Sequence, residues 1–157
     1  MLELRDTTAL VEALLDTCVE QVLETMFFTP VLGSAAPESG EGRERVSAAL
    51  NFSGQPSGAF QTDADPRVAL SLASSFLGVE EIEVTGEQIE QVLAEFSNVT
   101  CGFALSNLGR VEYFHLELPE TSRSLGFTPA VEGVRRSFAL DLGTLSVCLS
   151  VNFHPRA

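Results

Sequence analysis

The chain has 157 residues, 45% of them hydrophobic, and a formal net charge of −13. That length suits one sizeable core, and the apolar fraction is too high for a disordered chain. All nine basic residues are Arg, so acidic groups dominate the surface, and nucleic acid and anionic lipid are poor candidate partners. No apolar run approaches the roughly 20 residues of a spanning helix. The opening Met1-Leu2-Glu3-Leu4-Arg5-Asp6 lacks the layout of a secretion signal. A cytoplasmic protein with one domain over residues 1–157 is expected.

The first predicted helix runs from about Thr8 to Met26, capped by Asp6 or Thr7. Leu10, Val11, Leu14, Leu15 and Val22 supply its core-facing stripe. Phe27-Phe28-Thr29-Pro30 ends it, because the residue before a proline is pushed out of helical geometry. Gly33 to Gly42 reads as a surface loop. Val46, Ala48, Leu50 and Phe52 mark a strand, and Gly58-Ala59-Phe60-Gln61 belongs to the next, with turn residues Gly54 to Gly58 making a hairpin. Asp65-Pro66 starts a second helix with buried Val68, Ala69, Leu72 and Phe76, closed by Gly78.

A third helix starts at the capping box Thr85-x-x-Gln88 and runs to Asn107, with Gly109 as its stop. Ile89, Val92, Leu93, Phe96, Val99 and Phe103 fall on one side of it. Strands follow at Val111 to Leu118, Val134 to Leu142 and Leu145 to Phe153, the last two joined by the tight turn Asp141 to Thr144. In the last strand Leu145, Val147, Leu149, Val151 and Phe153 alternate with Ser146, Cys148, Ser150 and Asn152. That pattern predicts an α+β fold: an antiparallel sheet with one apolar face and long helices packed on it.

Most familiar chemistries find little support. Cys18, Cys101 and Cys148 are far apart, odd in number and set among apolar neighbours, so buried thiols are expected and no metal site. His115 and His154 have no nucleophile in a recognisable turn. Without lysine a Walker-type nucleotide site is excluded. Glu80-Glu81-x-Glu83 reads as a solvated loop, since calcium loops need alternating oxygen ligands around a central glycine.

The outward face of the third helix is more informative. Gln91, Glu95, Asn98 and Gly102 are spaced four, three and four apart and line up opposite the apolar stripe. Ala94, Ser97 and Cys101 beside them are small and should leave the Glu and Asn tips unobstructed. An interior glycine costs a helix roughly 1 kcal/mol relative to alanine. A closely docking partner is one reason to carry it; an ordinary solvated face is the alternative.

Three segments resemble the CheX/CheC/FliY phosphatase family, most closely its single-site CheX type: Glu95-Phe96-Ser97-Asn98-Val99-Thr100-Cys101-Gly102, the stretch Leu50 to Phe60 followed by Val68-Ala69-Leu70-Ser71-Leu72-Ala73, and Leu23-Glu24-Thr25-Met26-Phe27-Phe28-Thr29-Pro30. The resemblance implies a phosphatase acting on the aspartyl phosphate of a CheY-like response regulator. It implies that Asn98 positions a water, that Glu95 pairs with the receiver's lysine, and that Gln91 and Gly102 border the partner. It implies no cofactor of the chain's own, magnesium on the receiver, and a homodimer. The chain departs from the family pattern at Gln91, where Asp or Ser is common, and at Pro119, which lies near the offset of a typical proline. The first helix has no Glu-x-x-Asn, so a second site is not expected. A non-catalytic receiver-binding or scaffold module is the alternative reading, and a structural subunit of a motor or signalling assembly is a third.

Overall fold

A computed structural model describes residues 4–36, 43–108, 113–125 and 132–152. In chain order these form α1 (Leu4–Met26), β1 (Gly33–Ser34), β2 (Glu44–Gln55), β3 (Ser57–Ala64), α2 (Pro66–Leu77), a 3-10 turn (Glu81–Glu83), α3 (Gly86–Ser106), β4 (Tyr113–Leu116), β5 (Glu120–Leu125), β6 (Val134–Leu140) and β7 (Gly143–Asn152). The strands make one antiparallel sheet in the order β1-β6-β7-β3-β2-β4, with β5 also on β2. The α+β architecture expected from the sequence is the one observed.

The apolar sheet face carries Val46, Ala48, Leu50 and Phe52 from β2, Phe60 and Ala64 from β3, Phe138 and Leu140 from β6, and Leu145, Val147 and Leu149 from β7. All are buried with residues of the three helices in one core cluster. Phe27, just past the end of α1, joins the helices: its ring stacks on Phe76 of α2 at 5.2 Å and meets Phe96 of α3 edge-on at 5.6 Å.

Several local expectations need correction. Helix α1 begins at Leu4, so Asp6 and Thr7 lie within it and do not cap it. Its core arc is Val11, Leu15, Cys18, Val19, Val22 and Leu23, and Leu10 is 59% exposed because it falls about 100° to one side of Val11. The helix ends where Phe28 adopts a left-handed conformation (φ 53°), which lets the Thr29 N–H donate to the Leu23 carbonyl at 2.9 Å. The region read as a loop from Gly33 contains β1, which pairs with Ala139 and Phe138. Phe76 is more exposed than expected, at 38%, although it stacks on Phe27. Glu80 and Glu83 form a capping box around the 3-10 turn, with the Glu80 N–H donating to Glu83 Oε2 at 3.3 Å. Gly109, Val111, Phe153 and His154 lie outside the described residues.

The strand expected to stop at Leu118 resumes beyond it as β5. Along β2 the partner of Phe52 is Leu116, but that of Ala49 is Glu120, so one extra residue is accommodated around Leu118 and Pro119. Proline has no N–H for the ladder and Leu118 is 90% exposed, as in a bulge at a sheet edge.

Among the described residues, ion pairs fasten helices to the sheet. Arg136 of β6 grips Asp16 of α1 with both arms of its guanidinium (2.8 and 2.9 Å) and reaches Glu12 at 3.0 Å. Asp65, the N-cap residue directly before Pro66, accepts from Arg45 Nη1 at 3.0 Å and from the Thr144 N–H at 2.8 Å, so its side chain makes no capping bond to α2. A Cβ at Gly143 would lie 2.3 Å from Asp65 Oδ2, so the β6–β7 turn needs glycine there.

The reverse face of the sheet is polar yet buried at its centre. Arg45, Ser47, Gln61, Asp63, Ser146 and Cys148 are all nearly inaccessible. Asp63 accepts from Ser47 and from Gln61 Nε2 (3.3 Å to each oxygen). Burial nevertheless holds its carboxyl above the ordinary value, and those bonds and the charges of Arg45 and Arg135 offset only part of that. The folded chain therefore binds the Asp63 proton more tightly than the unfolded chain. The resulting stability is present below the unfolded value of about 3.9 and is lost as pH rises through the folded one. Asp63→Asn removes that dependence and keeps an acceptor for Ser47. Between about pH 4 and 7 the urea midpoint of the variant is expected to rise relative to wild type. A relative fall means that the arginine pairs outweigh burial.

Candidate functional site

Helix α3 begins as the sequence predicts. Thr85 Oγ1 accepts from the Gln88 N–H at 3.1 Å, and Gln88 Oε1 accepts from the Thr85 N–H at 2.9 Å. This box fixes the first turn. At the other end Asn107 caps the helix, and its side chain donates to the Phe103 carbonyl at 2.7 Å.

The buried arc of α3 is Val92, Leu93, Phe96, Ser97, Thr100, Cys101, Ala104 and Leu105. It is rotated from the stripe read in the sequence, and Ile89, Val99 and Phe103 are only half-buried at its margin. Ser97 and Cys101 therefore do not flank the outward face: both are fully buried. The reason lies in what α3 rests on. It packs against β2 and β3 below and against both other helices, and small side chains let it sit close. Ser97 Oγ is 2.8 Å from Thr62 Oγ1 of β3 and 3.0 Å from the Leu93 carbonyl.

Opposite that arc, Gln91 and Glu95 are exposed and Asn98 is half-buried. Glu95 and Asn98 are three residues apart on a helix, a spacing that makes their side chains neighbours, with Cβ atoms about 5–6 Å apart. Gln91 Nε2 lies 3.5 Å from Glu87 Oε1 one turn earlier. Gly102 is half-buried, because Leu116 of β4 leans on it: a Cβ there would be 3.6 Å from Leu116 Cδ1. The outward face is thus open along Gln91 and Glu95 and bordered by β4 at Gly102. Arg123 of β5 stands by the first turns, near Glu90 (3.5 Å) and the Gly86 carbonyl (3.4 Å).

The site is a ridge. The larger described cavity, about 530 Å³, lies between the start of α1 and the ends of β6 and β7, and no residue of α3 lines it. A carboxylate and an amide on a ridge suit insertion into another molecule's pocket. The thiols do not add a nucleophile, since burial pushes Cys18 up to about 11 and Cys101 up to about 12, and raises Cys148 as well. His115 is exposed on β4 opposite Ser53. Among the described residues no three His, Cys, Asp or Glu side chains gather as a metal site, and no helix is long and apolar enough to cross a membrane.

Known structures share this fold. The structure is similar to chemotaxis protein CheX from Vibrio vulnificus, with a TM-score of 0.74, 20% identity, and coverage of 92% of this chain and 98% of that one. It is similar to CheX from Desulfovibrio desulfuricans, with a TM-score of 0.71, 18% identity, and coverage of 90% and 99%. The CheX–CheY–BeF3–Mg2+ complex from Borrelia burgdorferi contains a match with a TM-score of 0.64, 18% identity, and coverage of 89% and 96%. No curated protein sequence matches the chain. The sequence profile of the chemotaxis phosphatase CheX matches residues 46–142, which span the hairpin, α2, all of α3 and the β6 strand. With more than half of its length matched, the chain belongs to the CheX family of chemotaxis phosphatases.

Proposed function

We propose that the protein is a phosphatase for a phosphorylated CheY-like response regulator, with Asn98 and Glu95 as its working pair. The observation that carries this reading is the outward placement of both side chains, one turn apart on α3, in a member of the CheX family. The Borrelia relative bound to CheY with BeF3 and Mg2+ supports a receiver as the partner.

The reaction is transfer of a phosphoryl group from an aspartate to water. The water oxygen forms a bond to phosphorus as the bond to the aspartyl oxygen breaks. The carboxylate departs, and the water's proton leaves with inorganic phosphate or solvent. Placement and electrostatics supply most of the gain in such reactions. The Asn98 amide offers an acceptor oxygen and a donor NH2, and so orients the water in line without accepting its proton. Glu95 forms a charge-assisted contact with the receiver's lysine, which sets the register of the docked helix. Magnesium, on this reading, is supplied by the receiver, where it offsets phosphate charge; the chain brings neither a metal nor a nucleophile of its own. Residues 1–157 act as one CheX-like domain in the cytoplasm, where receivers reside.

Gln91, standing where the family often has Asp or Ser, supports the second reading, in which the same face holds a receiver without hydrolysing it. One experiment separates the two. Release of phosphate from a phosphorylated receiver is expected to accelerate with wild type and to slow on the order of 10²-fold with Asn98→Ala, binding being mostly retained. Glu95→Ala is expected to weaken binding by about tenfold or more, as loss of a charged hydrogen bond does. Dephosphorylation that is the same with both variants as with wild type removes the enzymatic reading.

Gly102 has its own test. Alanine fits against Leu116, so Gly102→Ala is expected to raise helix stability by about 1 kcal/mol in urea unfolding. Receiver affinity is expected to fall, because the added methyl stands between the helix and a close partner. Unchanged affinity removes Gly102 from the interface.

A homodimer belongs to the same proposal. Among the described residues, β1 and its flanks bond to Ser137, Phe138 and Ala139 of β6, which leaves the start of that edge for a second copy. Sedimentation is expected to give a dimer mass, and a monomer at all accessible concentrations excludes it.

A further inference from the structure

We infer that Ser97 and Thr62 are positioning residues: their hydroxyl–hydroxyl bond sets the rotation of α3 about its axis and so aims Asn98 and Glu95. The inference rests on the phosphatase reading for its catalytic consequence, but its structural content stands apart from it.

Ser97 lies between the two site residues in sequence and points the opposite way. It is 0% exposed, as is Thr62 beneath it, and the bond between them is 2.8 Å long. Thr62 stands on the apolar face of β3, between Phe60 and Ala64 and opposite Ala48 and Val147. Packing at that position calls for a valine. One turn along α3, Thr100 is also 0% exposed, and its Oγ1 has no partner among the described residues. A polar seam therefore runs under the functional face in a layer that is otherwise apolar.

Stability gives a poor reason for this seam. Replacing both partners of a buried hydrogen bond by apolar groups of the same shape is often nearly neutral. Direction gives a better one. Leu93, Phe96 and Leu105 hold the helix on the sheet, but the contacts on the Ser97 side, Thr100, Cys101 and Ala104, are small, and a hydrogen bond there adds a constraint that is satisfied only over a narrow range of angles. Side-chain tips stand about 6 Å from a helix axis, so a turn of about 10° moves them about 1 Å. A misplacement of about 1 Å is enough to cost up to about 10²-fold in rate.

The test uses Ser97→Ala, Thr62→Val, the double variant and the conservative Thr62→Ser in the full chain. With a phosphorylated receiver as substrate, kcat is expected to fall about tenfold in Ser97→Ala and Thr62→Val, and KM to rise as Glu95 is turned from the receiver's lysine. The double variant is expected to be no slower than either single one. Thr62→Ser restores the hydroxyl and is expected to restore the rate. In parallel, residual dipolar couplings of the backbone N–H groups along α3 report its rotation against the sheet, and their periodic pattern is expected to shift in phase or lose amplitude in Thr62→Val. A kcat within about twofold of wild type in Thr62→Val overturns the inference, and so does an unaltered coupling pattern. If wild type does not accelerate phosphate release, the proposed function falls, and the coupling pattern by itself decides the inference.

Discussion

Helix α3 is held from beneath by Leu93, Phe96, Thr100, Ala104 and Leu105, all buried against the sheet and the neighbouring helices. Everything on its outer side depends on that contact. Glu95 is exposed and Asn98 half-buried on that side. Their geometry is that of the helix, and the helix takes its geometry from the sheet. Phe27 completes the support, since one ring touches both α2 and α3. Loss of the aromatic contacts among Phe27, Phe76 and Phe96 loosens all three helices together.

The remaining fixtures serve the same platform. The Arg136 grip on Asp16 and Glu12 fastens α1 to β6, and Asp65 ties the start of α2 to Arg45 and to the β6–β7 turn. The Arg45–Asp65 pair is well shielded, and the Arg136–Asp16 pair, though more exposed, is bidentate. On the reverse face, Asp63 and its neighbours build a polar layer in the centre of the sheet. Buried polar groups of this kind favour one arrangement of strands over its alternatives, though at a cost in desolvation. The sheet is thereby a stiff base for α3.

A ridge has consequences for chemistry. Glu95 is exposed, so on the proposed reading electrostatic effects grow only when a partner's pocket closes over it. Pro119 contributes from the side: it helps break the edge strand, and the bulge carries Leu118 out into solvent, with Leu116 just before it leaning on Gly102. Gln91, one turn before Glu95, is itself uncharged and lies 3.5 Å from Glu87 Oε1.

Much of this was legible in the residues. The capping box at Thr85 and Gln88, the hairpin from Val46 to Gln61, the Asp65-Pro66 helix start and the alternation in β7 each depend on neighbours within a few positions. Local rules therefore suffice for them. So does the outward line of Gln91, Glu95 and Asn98, because helical spacing alone opposes it to Phe96 and Leu93. What only the tertiary structure decided depends on distant partners. The inward side of Ser97 required Thr62, the lean of Leu116 on Gly102 required β4 beside α3, and β5 required the open edge of β2. Periodicity gives a helix its two sides, but the shape of the surface beneath determines where the boundary between them falls.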